Sequence, residues 1–161
     1  MKVELFPNYC RRRLEMEKIH RILSDFAKVN EYDGVGNDYR LYLLSENTQE
    51  DICELIKKDI KATSEDTIEL IQLKEWQQDF LSCEFPEGEE YWFGTIPSGY
   101  DLKGLTPKEF IIEQLLNTFK QGIKAVYCVK LDIGAYYACS YEEYVFVTNK
   151  GIYYLSMQVH D

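Results

Sequence analysis

Between Glu75 and Asp101 the chain has no lysine and no arginine. A surface that grips nucleic acid needs those residues to neutralise phosphate, so this stretch is excluded as one. Histidine is scarce, with only His20 and His160. The five cysteines, at 10, 53, 83, 128 and 139, form no C-x-x-C pair, which removes the usual local framework of a zinc site. No apolar run approaches the roughly 20 residues of a membrane span. Residues 1–13 lack a hydrophobic stretch of signal length. An odd cysteine count without such a stretch reads as reduced thiols in a cytoplasm.

Catalytic signatures are equally sparse. Gly34-Val35-Gly36 lacks the third glycine and following helix of a dinucleotide fingerprint, and there is no P-loop. No serine stands in a G-x-S-x-G elbow. Glu17 and His20 have ligand spacing on a helix but no second such pair to complete a metal site. His20 is expected to be an ordinary helix residue, and Cys53, Cys128 and Cys139 buried small hydrophobes. Asp59-Ile60-Lys61 and Asp101-Leu102-Lys103 match an acid-x-Lys spacing of some nucleases, but a chain this acidic would repel such a substrate. The expectation is a protein without catalytic, cofactor or metal residues.

What is present is charge of one sign. The formal net charge is −10, with residues 1–30 at +3, 31–103 at −12 and 104–161 at −1. The Glu75–Asp101 stretch holds seven acids together with Trp76, Phe80, Phe85, Tyr91, Trp92, Phe93 and Tyr100. One-signed charge beside aromatic area suits a surface for a basic partner. The expected contact residues are Glu84, Glu87, Glu89, Glu90, Trp92, Tyr100 and Asp101. Seven of the thirteen tyrosines fall between Tyr127 and Tyr154. They suit either a two-layer core or a second interface. The adjacent acids Glu89-Glu90 and Glu142-Glu143 would point to opposite sides of a strand and read as a solvated turn or edge.

At 161 residues the chain reads as one domain. Asn8 is placed to cap a helix over 9–29, with Met16, Ile19, Leu23 and Phe26 as its apolar stripe. Arg11, Arg12 and Arg13 would then lie in its first turn, Arg11 pairing with Glu15 and Arg13 with Glu17. A turn over 31–38 leads to a strand at 39–44. A helix over 48–62 follows, capped by Thr48 with Asp51. Residues 67–73 read as a strand, then a short helix through Cys83, a turn over 85–88 and a strand over 90–96. Thr106, Pro107 and Glu109 announce a helix that ends at Gly122. Strands follow over 125–131, 135–139, 144–148 and 152–159, the last two joined at Asn149-Lys150-Gly151. The fold expected is α+β: three to four helices, mostly in the first two-thirds, on a largely antiparallel sheet completed by a C-terminal meander.

This profile is similar to that of small bacterial inhibitor and immunity proteins: acidic, cytoplasmic and without a catalytic kit. The expected function is therefore inhibitory binding, as an immunity protein that covers the active-site surface of a basic, nuclease-type toxin. A phage or mobile-element protein that imitates nucleic-acid charge is the alternative, and an enzyme with an unrecognised site the next. The partner expected is a basic protein, not nucleic acid itself and not a membrane.

Overall fold

A computed structural model describes residues 5–120 and 122–161, with side chains in the first helix described from Arg13 onward. That helix, α1, spans Leu5–Val29. Pro7 falls in its first turn, where no intrahelical donor is lost. Asn8 is therefore inside the helix and does not cap it, and Arg13 is well past the first turn. Arg13 does pair with Glu17, at 3.3 Å; the Arg11–Glu15 pair lies outside the described side chains. The buried stripe is Ile19, Ile22, Leu23, Phe26 and Ala27. The His20 ring bonds to the Leu41 carbonyl.

Strand β1, Gly36–Ser45, leads to α2, Ile52–Ile60, and β2, Thr67–Gln72. Asp51, not Thr48, caps α2, accepting from the Glu54 amide. Two short helices follow, α3 at Trp76–Asp79 and α4 at Gly88–Phe93. The strand expected over 90–96 does not form. The first residue of α4 is Gly88, where a Cβ would collide with the Leu81 carbonyl. The longer α5, Pro107–Phe119, opens with a full capping box between Thr106 and Glu109. It ends at Lys120, which adopts a left-handed conformation, two residues before the expected glycine.

Strands β3 (Ile123–Asp132), β4 (Ser140–Thr148) and β5 (Gly151–His160) close the chain. The sheet has order β1-β5-β4-β3-β2 and every pair is antiparallel. The architecture is α+β. Residues 135–139 form no strand; 133–139 is an irregular crossing between β3 and β4. One face of the sheet presents Tyr39, Leu41, Val126, Tyr144, Phe146 and Leu155 to α1, α4 and α5. The other presents Val129, Val145, Ile152 and Tyr154 to Ile56 of α2. Because both faces are covered, β4 and β5 are buried almost throughout, and tyrosines such as Tyr144 and Tyr154 are core residues. No helix of the described residues is long and apolar enough to cross a membrane. Cys53, Cys83, Cys128 and Cys139 carry free thiols; Cys128 is buried as expected, Cys53 only partly so, and Cys139 is exposed.

Candidate partner-binding groove

The structure separates the residues that the sequence grouped as one contact surface. Trp92 is 0% exposed and cannot reach a partner. It turns inward because 88–93 is a helix whose Trp92 and Phe93 pack on the Tyr39 ring, at 5.7 and 5.4 Å. Glu84 is bonded to Lys130 at 2.6 Å. Glu89 accepts from the Lys108 amide at the start of α5, at 2.7 Å. Tyr100 donates to Asp25 at 2.6 Å and packs on Phe26 and Phe110; burial and the Asp25 carboxylate push its hydroxyl up to about 12. Asp101 accepts from the Lys103 amide and sits apart, among Lys18, Arg21 and Lys103. Glu87 and Glu90 remain exposed.

Glu142 and Glu143 are not a solvated edge either. They point to opposite faces, as strand geometry requires, but β4 is the central strand and both are fully buried. Glu142 Oε1 accepts from the amides of Cys83 and Glu84, at 3.1 and 3.0 Å, and so holds the 81–88 crossing against the sheet. Burial pushes both carboxyls above their ordinary range.

Glu90 belongs to a different assembly. It lines a groove of about 890 Å³ between the end of α1, the following turn, α4 and the ends of β4 and β5. Asn30 builds one wall. Its amide nitrogen donates to the carbonyls of Phe26 and Thr95, and its oxygen accepts from the Thr95 amide, each at 2.9 Å. This fastens the end of α1 to the segment after α4. Next to it, Asp33 and Gly34 take positive φ, 53° and 81°, in a tight turn closed by the Tyr32–Val35 bridge. The turn holds Tyr32 outward, 81% exposed. Tyr91 also lines the groove, 45% exposed, with its ring tilted against Phe85 at 4.8 Å and its hydroxyl hydrogen-bonded to Ser140 at 2.7 Å. Tyr136, 68% exposed, stands at the rim and donates to Asp161.

The charged groups of the groove are Glu31, Glu90 and Asp161, and no lysine or arginine is among its described lining residues. Rigid amphipathic rings around uncompensated carboxylates favour a cationic, partly apolar segment, with charge acting on encounter and rings on retention. Among the described residues no group of three or more His, Cys, Asp or Glu is placed to hold a metal ion. Glu31, Tyr32 and Asp161 are not among the contact residues expected from the sequence. The one local sign was an acid and a tyrosine directly before Asp33-Gly34, since a turn of that kind projects its flanking side chains. No protein-family model matches the chain, and no curated protein or solved structure shows significant similarity to it.

Proposed function

We propose that the chain is an inhibitory binding protein of the cytoplasm whose groove takes a basic segment of a protein partner. Its most concrete form is an immunity protein that covers the active-site surface of a basic, nuclease-type toxin. The observation that supports this reading is the groove itself: the exposed rings Tyr32 and Tyr91 line it together with Glu31, Glu90 and Asp161, and no lysine or arginine is among its described lining residues. A toxin that cleaves nucleic acid needs a basic surface around its active site. An acidic, ring-lined groove complements that surface and blocks it without any catalysis of its own.

Two measurements test this. The isotope-labelled chain is titrated with a ten-residue Lys/Arg peptide, and shifts are expected at Glu31, Tyr32, Glu90 and Tyr91. In cells, co-expression with a basic nuclease toxin that the chain is found to bind should restore growth, and the Glu31→Lys, Glu90→Lys double variant should not. Protection that survives the double variant in a folded protein would overturn the groove as the binding face.

A further inference from the structure

On the α2 side of the sheet three buried oxygens have no hydrogen-bond partner: Glu143 Oε1, Tyr154 OH and Ser156 Oγ. Strand register brings them together. Glu143 is paired with Ser156, and Val145 with Tyr154, across β4 and β5, so the three side chains share one face of two adjacent strands. Both hydroxyls act on the Glu143 carboxylate without completing a well-formed bond. The second carboxylate oxygen, Oε2, accepts from Tyr137 at 2.8 Å, and Gln158 in turn donates to the Tyr137 hydroxyl at 2.8 Å.

Tyr137 and Gln158 also line an open hollow of about 710 Å³, together with Tyr42, Asp59, Asp38 and Arg40. Tyr42 donates to Asp59 at 2.6 Å, and its ring packs against that of Tyr154 at 5.7 Å. The cation nearest in the register is Arg40, opposite Ser156. It lines the hollow, but its guanidinium is engaged at the mouth, 3.1 Å from Asp38 with the side chain 59% exposed and over the Tyr42 ring, and it makes no ion pair with Glu143 among the described residues. Glu143 is thus a buried carboxylate with one bonded oxygen and no ion pair among the described residues. Such a group is costly unless it meets a positive charge or a proton.

We propose that Glu143, Tyr154 and Ser156 form a binding site for an alkylammonium group, the –NH₃⁺ of a free amine or of a lysine side chain. An ammonium has three donors and no acceptor; Glu143 Oε1 and the acceptor lone pairs of the Tyr154 and Ser156 hydroxyls offer it three oxygens, one of them anionic. Its compact head fits neighbours on adjacent strands better than the wide planar fork of a guanidinium. The tyrosine rings of 42, 137 and 154 offer faces to the cation and its alkyl stem. An anion would meet Glu143, Asp59 and Asp38 together. Tyr137 is the gate: it belongs to the irregular 133–139 crossing, and turning its ring aside connects the hollow to the three oxygens. The site is independent of the groove reading.

The test is calorimetric titration of the full chain with n-butylammonium, with n-butanol as the neutral analogue at the same ionic strength. Saturable binding is expected for the amine alone. Glu143→Gln should weaken it at least tenfold, and Glu90→Gln, in the groove, should leave it unchanged. If Glu143→Gln does not fold, Ser156→Ala serves; loss of one acceptor should weaken binding roughly fivefold. A blocked Gly-Lys-Gly peptide that competes with butylammonium identifies a lysine side chain as the source of the ammonium; failure to compete leaves the free amine. Equal binding of butanol, indifference to both Glu143→Gln and Ser156→Ala, or no saturable binding into the tens of millimolar would overturn the proposal. The last result would leave the three oxygens to water.

Discussion

The Tyr39 hydroxyl donates to the Trp92 carbonyl at 2.8 Å, and the two rings meet edge-on. A strand residue thereby fixes a helix of only six residues, far too short to be stable alone. Tyr91, next in sequence to Trp92, owes its place in the groove to this bond. Tyr39→Phe keeps the ring but strands the carbonyl. It should cost about 1–3 kcal/mol, read as a lower urea midpoint, and should also raise the mobility of Tyr91 measured by NMR relaxation.

Trp92 contributes through packing. Trp92→Ala should destabilise the fold by about 3–5 kcal/mol. Its indole N–H has no partner, so Trp92→Phe should lose clearly less than Trp92→Ala. Denaturant melts of the two variants provide the comparison. Equal losses would mean that packing does not decide the cost at this position.

In the groove, carboxylates and rings should separate kinetically. Reversing Glu31 and Glu90 to lysine should mainly slow association with the Lys/Arg peptide, and the effect should shrink as salt screens the field. Tyr91→Ala should mainly speed dissociation, at a cost of about 1–2 kcal/mol. Stopped-flow traces at low and high salt resolve the two rates.

Glu142 acts as a clasp for the backbone of Cys83 and Glu84. Glu142→Ala should abolish hydrogen-exchange protection of those two amides, whereas Glu142→Gln keeps an acceptor oxygen and should preserve most of it. Unchanged protection in Glu142→Ala would show that the 81–88 crossing is held by other contacts.

The pH dependence of stability follows from the same buried acids. Burial raises the Glu142 and Glu143 carboxyls above their ordinary value of 4.5. The folded chain therefore keeps protons that the unfolded chain has already released. Stability is greater where the carboxyls are protonated and is lost as pH rises through their folded values. Asp66 works in the opposite sense. The Thr63 and Gly134 amides hold its carboxyl below its ordinary 3.8, so its contribution is present above that value and fades in stronger acid. Melting temperature should therefore decline as pH rises above the ordinary carboxyl value of 4.5, and Glu143→Gln should flatten the decline.

The features legible in the sequence were those decided by a few neighbouring residues. The capping box of Thr106 and Glu109 is complete within four positions. The Val- and Tyr-rich runs at 123–132, 140–148 and 151–160 form strands as expected, whereas 135–139, with Tyr136 and Tyr137, does not. Helix α4 was misread because Tyr91-Trp92-Phe93 favours strand by intrinsic preference, while its actual state is set by Tyr39, about fifty positions away. Glu142 and Glu143 were misread because strand alternation gives their directions but not how much lies over each face. The groove was hidden for the same reason: Glu31, Tyr91 and Asp161 meet only through the turn after α1, a short helix and the ends of two strands.

Residues 133–139 connect these places. Tyr136 stands at the rim of the groove through Asp161, and Tyr137, its neighbour, closes on Glu143, so one short crossing serves both sites. A basic segment seated against Tyr136 and an ammonium that displaces Tyr137 would each select among conformations of the same few peptide units. Thermodynamic reciprocity then applies: any change one occupant makes in the affinity for the other must be returned by the same factor. Asp66, which accepts from the Gly134 amide at the start of the same segment, lines neither the groove nor the hollow.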